Sequence, residues 1–380
     1  MNRISQLIGR FDAAADQDVN ARLVRRLGAA SNLMIFGAGQ NGAMVLGLLR
    51  AAGLTPSAFI DETPAKIGRT IDGMPVIGLD DAAAKRDALV LVSIFSPAIG
   101  YLTLAPRLHE RGLETVPLFR FLRAFAPASL PFYFLDTPAQ VVAAEAEIAW
   151  LADRLVDAPS LDLLCAQIAF RLALDYQVLP PWSPGRAPPP ADWPSFALID
   201  AGAFDGDTLL PLMASDGARI SRALALEPDP SNFARLTANI AAAGPAVAGK
   251  VTAVEAGVDA ASGRRAFLGV GNQGSGFGDA GDLVETVSID DLVVAHAPGD
   301  ERLYIKLDVE GAEAAALEGA ARTIVERRPF LAVSAYHRPD DLWALPRQIS
   351  RLDDCYRYRL ASHGADGADL MLYAIPPAAP

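Results

Sequence analysis

The sequence is poor in cysteine, with only Cys165 and Cys355 among 380 residues. The two lie far apart and outside any metal-ligand spacing, which argues against a cysteine-bound metal site. We therefore expect both cysteines to be small buried hydrophobic residues.

Basic residues are also in deficit, because 33 Lys and Arg face 45 Asp and Glu, for a formal net charge of −12. Nucleic-acid binding needs clustered basic residues, so this charge argues against an extended nucleic-acid footprint. Anchoring on an anionic membrane surface is disfavoured for the same reason.

Long apolar runs are missing as well. The most apolar early stretch, residues 33–54, is interrupted by Gln40, Asn41 and several glycines. A membrane span is not predicted there, and the first residues lack the apolar core of a signal peptide. By elimination we expect a cytoplasmic protein. No oligomeric state follows from the sequence.

Apolar runs alternating with helical patterns fill both ends of the chain, which is typical of parallel, doubly wound α/β sheets. The sequence predicts two Rossmann-like domains, at residues 1–125 and 194–380. The first has strands at 32–36, 57–60, 89–93 and 114–117. The second has strands at 196–199, 223–226, 251–254, 303–307 and 330–333, and a closing antiparallel pair near 356–360 and 370–374.

Residues 126–193 separate these domains and contain no strand-like runs. Residues 142–155 and 161–174 have the pattern of amphipathic helices, and the segment from Pro180 to Pro194 is dense in proline. Proline disfavours both helix and sheet, so this segment is predicted to be a semi-rigid connection.

The first domain carries a glycine fingerprint, Gly37-x-Gly39-x-x-Gly42, between a strand and a helix, with Asp61 about 20 residues further on. It resembles nucleotide-binding modules attached to sugar-modifying enzymes. A second nucleotide site at these four residues is one prediction. The alternative is a Rossmann-like unit that serves for docking, without a nucleotide.

A second glycine turn begins the later domain, in the run Asp200-Ala-Gly202-Ala-Phe-Asp-Gly206-Asp207-Thr. The two glycines allow positive φ and close approach of a ligand to the backbone. Asp207 is predicted to cap the following helix, with Pro211 in its first turn. Acids around the turn suit a ligand that offers hydroxyl, amine or cationic groups.

Glu227 follows the next predicted strand and precedes Pro228. An acid at this position can accept hydrogen bonds from a ribose diol, each worth about 1.5–3 kcal/mol for a charged acceptor. The alternative is a surface acid before a proline turn.

Lys306 and Asp308 interrupt an otherwise apolar strand near its carboxyl end. Strands of a covered parallel sheet are nearly all apolar, and α/β sheets bind ligands at this edge. The pair therefore indicates a functional site, with a structural ion pair as the alternative.

These motifs in their order resemble the FkbM family of methyltransferases over about half of the chain. The resemblance rests on Asp200-Ala-Gly-Ala-Phe-Asp-Gly-Asp-Thr, Glu227-Pro, Ser288-Ile-Asp-Asp-Leu, Lys306-Leu-Asp-Val-Glu-Gly-Ala-Glu, Leu317-Glu-Gly-Ala, Arg328-Pro and Tyr336-His337. It implies a seven-stranded domain that transfers methyl groups from S-adenosylmethionine to hydroxyls of sugars and polyketide-type products.

The resemblance places cofactor contacts at Asp200, Gly202, Gly206 and Glu227, and its acidic motif at Asp308, Glu310 and Glu313. We also predict cofactor contacts from Ala203, Asp207 and Gly257. Many members have a Glu-x-His near the fifth strand, where this chain has Ser334-Ala-Tyr336-His337.

Methylating a hydroxyl requires removal of its proton, and general-base assistance contributes roughly 10²–10⁴-fold. The predicted catalytic residues are Asp308, His337 and Lys306, with Asp308 and His337 as equal candidates for the base and His363 as a weaker one. Asp308, Glu310 and Glu313 form an alternative site for a divalent metal ion, because hard cations prefer oxygen ligands.

The resulting prediction is an O-methyltransferase acting on a sugar, a glycan or a related natural product. Two alternatives are a nicotinamide- or sugar-nucleotide-dependent enzyme acting at Gly37–Asp61, and a binding module with a degenerate site. The glycine-rich residues 271–278 are predicted to form a mobile loop that closes over substrate, or a solvated linker.

Overall fold

The computed structural model describes residues 3–85, 87–183, 189–269, 276–277 and 281–377. The chain divides into two compact units. The first comprises residues 1–145, 163–182 and 364–369, and the second residues 146–162, 183–363 and 370–380. Each unit is an α/β fold with a parallel-rich sheet of the Rossmann type. The domain bounds inferred from the sequence stay a proposal.

The first unit begins with two helices and then alternates strands with helices. Its elements are α1 (Arg3–Gly9), α2 (Ala13–Gly28), β1 (Asn32–Phe36), α3 (Gln40–Ala51), β2 (Ala58–Ile60), β3 (Thr70–Ile71), β4 (Met74–Ile77), α4 (Leu79–Ala83), β5 (Ala88–Val92), α5 (Tyr101–His109), β6 (Glu114–Pro117), α6 (Leu118–Phe125) and α7 (Pro138–Ala143). Helices α8 (Glu145–Ala152) and α9 (Ala158–Ala173) are shared between the two units.

The sheet of the first unit has six strands in the order β3-β4-β2-β1-β5-β6. All neighbours are parallel except β3 and β4, which form a hairpin. The four predicted strands are present, but the hairpin was missed. Its turn residues Asp72 and Gly73 both have positive φ, and Asp-Gly is the strongest short hairpin signal in a sequence.

The second unit contains β7 (Phe196–Ala201), α10 (Leu209–Asp216), β8 (Ile220–Leu226), α11 (Pro230–Ala242), α12 (Pro245–Ala248), β9 (Val251–Val254), β10 (Gly257–Val258), β11 (Gly263–Leu268), β12 (Gly276–Phe277), β13 (Asp282–Val287), α13 (Ile289–His296), β14 (Arg302–Leu307), α14 (Glu313–Glu318), α15 (Ala321–Arg327), β15 (Phe330–Ser334), α16 (Asp341–Leu352), β16 (Arg357–Ser362) and β17 (Leu370–Ile375).

The main sheet of the second unit has seven strands in the order β16-β17-β15-β14-β7-β8-β9. The five strands from β15 to β9 are parallel, and β17 is antiparallel to both of its neighbours. This confirms the predicted seven-stranded sheet with an antiparallel ending. Buried apolar residues on one face of the sheet, including Leu198, Tyr304 and Ala332, form a core with α10 and α11.

A second sheet of four strands, in the order β10-β13-β11-β12, was not predicted. Strands β11 and β13 each expose at least half of their residues, and their sequences lack the apolar alternation that marks a half-buried strand. The glycine-rich segment 271–278 lies outside the described residues apart from the backbone of 276–277.

Two expectations from composition can be compared with the structure. Cys165 is buried as expected, but Cys355 is exposed, so that prediction was wrong for one of the two. Cys355 lies in the connection between α16 and β16, where the local sequence is polar. Within the described part of the chain, no helix has both the length and the apolar character that crossing a bilayer requires.

Candidate functional site

The glycine turn after β7 lies directly beside the end of β14. Gly202 has a φ of +74°, and a Cβ atom there would stand 1.9 Å from the backbone oxygen of Asp308. Any side chain at Gly202 would collide with that carbonyl. Gly206 also has positive φ and packs against Leu210 and Leu236. Glycine at these positions thus brings the turn close to the polar residues of β14.

A buried ion pair supports this turn. Lys306 and Asp200 have side chains only 1% exposed, and the Lys306 Nζ lies 3.1 Å from Asp200 Oδ1. The same ammonium donates a hydrogen bond to the backbone oxygen of Gly202 at 2.7 Å. Asp200 was predicted to contact the cofactor, and Lys306 to take part in catalysis. The structure places both where they hold the glycine turn in shape.

The residues after Gly202 differ in their environment. The amide of Ala203 donates to the Leu226 oxygen at 2.8 Å and its side chain is buried. Asp207 is exposed, and α10 begins two residues later with Thr208 as its N-cap residue. The prediction that Asp207 caps the helix was wrong, because the turn continues through Thr208. Pro211 does lie in the first turn of α10.

Glu227 is a buried acid at the carboxyl end of β8. Its Oε2 accepts a hydrogen bond from the amide of Phe204 in the glycine turn at 2.9 Å. Its Oε1 accepts from the amide of Asp229 at 3.0 Å and from Asn232 Nδ2 at 3.2 Å. Burial raises the pKa of Glu227 against the opposing effect of these bonds. No described lysine or arginine forms an ion pair with it.

Gly257, the remaining predicted cofactor contact, lies in β10 rather than in a loop. It is buried and pairs with Thr286 of β13. The preceding residues connect it to the end of β9, the third strand of the parallel set. Its role toward the cofactor stays a prediction.

Asp308 stands at the carboxyl end of β14, next to the glycine turn. Its amide donates to the Ala201 oxygen at 3.1 Å, which fixes the end of β14 against the end of β7. Its Oδ1 accepts a hydrogen bond from Ser334 Oγ at 2.6 Å, and its Oδ2 lies 3.7 Å from Lys306 Nζ. The side chain is 20% exposed, so a ligand can reach this carboxylate.

His337, just beyond β15, meets three carboxylates. Its Nδ1 lies 2.8 Å from Glu313 Oε1, and its Nε2 lies 3.7 Å from Asp308 Oδ1 and 3.6 Å from Glu310 Oε2. We call Asp308, Glu310, Glu313 and His337 the carboxylate–histidine cluster. The residues that the sequence singled out after two different strands are thus brought together.

The charges of the cluster shift its titration. Burial by itself lowers the pKa of His337, yet Glu313, Glu310 and Asp308 raise it to about 10. Burial raises the pKa of Glu310 to about 7. An imidazole with this pKa carries its proton at neutral pH, so it acts as a cation and not as a proton acceptor. Of the two predicted bases, Asp308 is therefore the one that can accept a proton.

The predicted metal set was Asp308, Glu310 and Glu313. In the structure, Asp308, Glu313 and His337 each offer one ligand atom within 4.8 Å of the other two. The histidine therefore enters the group that can hold a cation, and Glu310 stands beside it.

His363, the weaker base candidate, is engaged elsewhere in the second unit. Its Nδ1 lies 2.8 Å from the Ser183 oxygen and its Nε2 lies 2.8 Å from the hydroxyl of Tyr373. A carbonyl can only accept, so Nδ1 donates and Nε2 accepts from Tyr373. Both ring nitrogens of His363 are occupied by structural hydrogen bonds.

The glycine fingerprint of the first unit also has the expected strand-turn-helix form. Gly37 has a φ of +108°, and a Cβ atom at Gly42 would stand 2.0 Å from the Gly37 oxygen. A Cβ atom at Gly39 would meet no atom within 4 Å, which leaves the start of α3 open.

The carboxylate of Asp61 accepts three hydrogen bonds, one of them from this turn. Its Oδ2 accepts from the Ala38 amide at 2.9 Å and from Lys66 Nζ at 3.0 Å, and its Oδ1 accepts from the Thr63 amide at 2.8 Å. Burial alone would raise the pKa of Asp61, but these hydrogen bonds lower it to about 2.

Three positioning residues were missed from the sequence. Ser334 holds Asp308, while Asp229 and Asn232 donate hydrogen bonds to Glu227. A signal existed for two of them. Ser334 is a polar residue ending an apolar strand, and Asp229 before Pro230 is a typical helix N-cap.

Comparison with known proteins places these features in context. Residues 200–360 match the methyltransferase FkbM domain. The crystal structure of the methyltransferase FkbM from Methylobacillus flagellatus KT is similar, with a TM-score of 0.74 and 25% identity over 95% of this chain and 97% of that one.

A precorrin-6y C5,15-methyltransferase from Geobacter metallireducens GS-15 aligns with a TM-score of only 0.31 and 13% identity, over 48% of this chain and 81% of that one. None of the curated proteins matches the chain. The first two comparisons identify an FkbM-type methyltransferase domain and support methyl transfer as the reaction.

Proposed function

We propose that the protein is an S-adenosylmethionine-dependent O-methyltransferase acting on a hydroxyl of a sugar, a glycan or a related natural product. The observation that supports this most is the placement of Glu227 and Asp308 on either side of the same glycine turn. Glu227 contacts the turn through Phe204, and Asp308 through Ala201. Strands β7 and β14 are neighbours in the sheet, with β8 and β9 on one side of the pair and β15 on the other. The strand order thus reverses between β7 and β14, and α/β folds bind ligands at the carboxyl ends of strands at such a point.

The chemistry of Glu227 fits the ribose of the cofactor. An ionised carboxylate can accept about four hydrogen bonds, and three are made within the protein. One acceptor position remains for a hydroxyl donor. The buried carboxylate gains by accepting it, because burial without a cation disfavours its charged form.

Adenosylmethionine, when bound, supplies a methyl group on a cationic sulfur. The acceptor oxygen forms a bond to that carbon, the carbon–sulfur bond breaks, and the bonding electrons stay on sulfur. Asp308 takes the hydroxyl proton, since its carboxylate is partly exposed at the sheet edge. Ser334 holds Oδ1 of this carboxylate in place. His337 and Lys306 act as the cations that orient the cluster and the turn.

The first unit has a subordinate role in this proposal, as a recognition unit for a nucleotide-linked or polymeric acceptor. The open start of α3 at Gly39 supports it. Asp61 makes as many hydrogen bonds within the protein as Glu227 does, but one of them is an ion pair with Lys66, which compensates its charge without a ligand. A nicotinamide-dependent reaction at the first glycine turn is therefore the less favoured function.

The direct test is transfer of a labelled methyl group from adenosylmethionine to a panel of glycans, sugars and hydroxylated natural products. We expect label in a methyl ether of at least one acceptor, and roughly 10²–10⁴-fold slower labelling with the Asp308→Asn variant. Oxidation or reduction of a nicotinamide cofactor by the purified protein, without methyl transfer, would contradict the proposal and support the alternative.

A further inference from the structure

We propose that the carboxylate–histidine cluster binds one divalent cation of the Mn²⁺ class through Asp308, Glu313 and His337, and that the cation replaces the proton that His337 otherwise carries, because a ligating imidazole is neutral. The three residues come from three separate segments, the end of β14, the start of α14 and the loop after β15. One ligand atom of each lies within 4.8 Å of the other two. Ligands about 2.0–2.3 Å from one ion stand at most about 4.6 Å apart, so small side-chain rotations suffice.

A second observation concerns Glu313 alone. Its side chain is 1% exposed, and its Oε2 is buried with no hydrogen-bond partner among the described residues. A buried carboxylate oxygen without a donor is costly, and native structures rarely leave one so. The other oxygen is held by the Val309 amide at 2.9 Å and faces His337 Nδ1. A cation at the cluster gives this carboxylate the partner that its surroundings lack.

Charge balance points the same way. Within the cluster, three carboxylates face one imidazole. The nearest lysine, Lys306, lies closer to Asp200 than to Asp308 and donates to Gly202. A divalent cation compensates the excess negative charge, and a cluster of two carboxylates and one imidazole is a suitable ligand set for it.

The catalytic role of the cation rests on the proposed function, whereas the binding of the cation does not. Three protein ligands leave open positions on an octahedral ion, and these positions take the oxygens of the acceptor. An acceptor with two neighbouring oxygens, such as a vicinal diol, can occupy two of them. Binding of its hydroxyl to the cation lowers the hydroxyl pKa. Asp308 can bind the cation through one carboxylate oxygen while its other oxygen accepts the proton of the acceptor hydroxyl.

The test measures Mn²⁺ binding to the full-length, chelator-treated protein. Binding is detected as a loss of the electron paramagnetic resonance signal of free Mn²⁺. We expect one ion per chain for the wild type and at least a tenfold weaker affinity for Glu313→Gln. Asp308→Asn, at a partly exposed position, should show the same loss and guards against misfolding of the first variant. The matched control is Glu318→Gln, at an exposed position of the same helix.

No Mn²⁺ binding by the wild type at millimolar concentration would overturn the inference. So would unchanged affinity in both Glu313→Gln and Asp308→Asn while these variants keep the wild-type melting temperature. Adenosylhomocysteine is titrated into the same samples. Its binding without Mn²⁺ binding refutes the cation and leaves methyl transfer standing, whereas no binding of adenosylhomocysteine refutes the proposed function itself.

Discussion

The two units use the same local construction and differ in what surrounds it. In each, a carboxylate at the end of the second strand accepts a hydrogen bond from an amide of the glycine turn. Asp61 accepts from Ala38 in the first unit, and Glu227 from Phe204 in the second. Lys66 pairs with Asp61, whereas no described cation pairs with Glu227. A glycine fingerprint with its acid is therefore a structural device first, and its surroundings decide whether it serves a ligand.

The neighbouring strand differs even more. In the second unit, Lys306 near the end of β14 and Asp308 just after it lie beside the turn and the cluster. In the first unit, the equivalent neighbour β5 is apolar and is followed by Ser93, whose hydroxyl donates to the oxygens of Phe36 and Gly37. Reactive side chains accompany only one of the two turns. This contrast yields four predictions, given from the largest expected effect to the smallest.

Asp308 has no counterpart beside the glycine turn of the first unit, so its replacement should have the largest effect. We expect Asp308→Asn to lower the methyl-transfer rate roughly 10²–10⁴-fold, because general-base assistance is lost. Affinity for adenosylhomocysteine should change less than about threefold, a difference of about 0.7 kcal/mol. Steady-state kinetics and calorimetry measure the two quantities, and a rate near that of the wild type would remove Asp308 as the base.

The two lysines that pair with turn acids should differ in their contribution to stability. Lys306→Met leaves Asp200 buried without its cation and should cost about 3–5 kcal/mol. Lys66→Met breaks a pair whose lysine is exposed and whose acid keeps two amide donors, so it should cost about 0–1 kcal/mol. Urea denaturation of both variants measures these values. Equal losses would show that the two turns are supported in the same way.

The two acids should differ in their effect on the methyl donor site. Glu227→Ala removes a charged acceptor of hydroxyl donors and should weaken adenosylhomocysteine binding by about 1.5–3 kcal/mol, which is more than tenfold. Asp61→Ala should leave that affinity unchanged. Calorimetric titration of the two variants side by side provides the measurement. Similar losses in both would refute the assignment of the site to the second unit.

Asp366, in the first unit, tests how a partly buried carboxylate behaves without a cation. Burial raises its pKa to about 6, although the Tyr101 amide donates a hydrogen bond to it. A raised folded-state pKa contributes stability below pH 4 that is lost as the pH rises through 6. Asp366→Asn keeps the acceptor without the charge, so it should stabilise the protein by about 1–2 kcal/mol at pH 8.

That gain should vanish at pH 4, where the wild-type carboxyl is protonated. Thermal unfolding between pH 4 and 8 checks the expectation, with the difference between variant and wild type as the readout. A difference independent of pH would show that the charge of Asp366 carries no such cost.

Much of the fold was predictable because it depends on local patterns. Apolar runs predicted the parallel strands of the six-stranded and seven-stranded sheets except β4, and the glycines at 37, 42, 202 and 206 marked the turns. The four-stranded sheet was not predicted from the sequence. Strands β11 and β13 each expose at least half of their residues, so apolar and polar residues do not alternate along them. Residues 364–369 belong to the first unit although they follow β16, and no local pattern announces such a long-range placement.

The candidate site was predictable in its members but not in its pairing. Sequence analysis singled out Lys306, Asp308, Glu313 and His337, yet it could not show that Lys306 pairs with Asp200 or that His337 lies against Glu313. Those contacts join residues far apart in the chain and depend on the order of the strands. The same holds for Ser334, which matters only because β15 lies beside β14.

The central claim is that the second unit binds the methyl donor. Calorimetric titration of the purified, folded protein with S-adenosylhomocysteine tests it most directly. We expect one site per chain with micromolar or tighter affinity. Absence of binding, in protein shown to be folded by its cooperative thermal transition, would contradict the claim and turn attention to nucleotides at the glycine turn of the first unit.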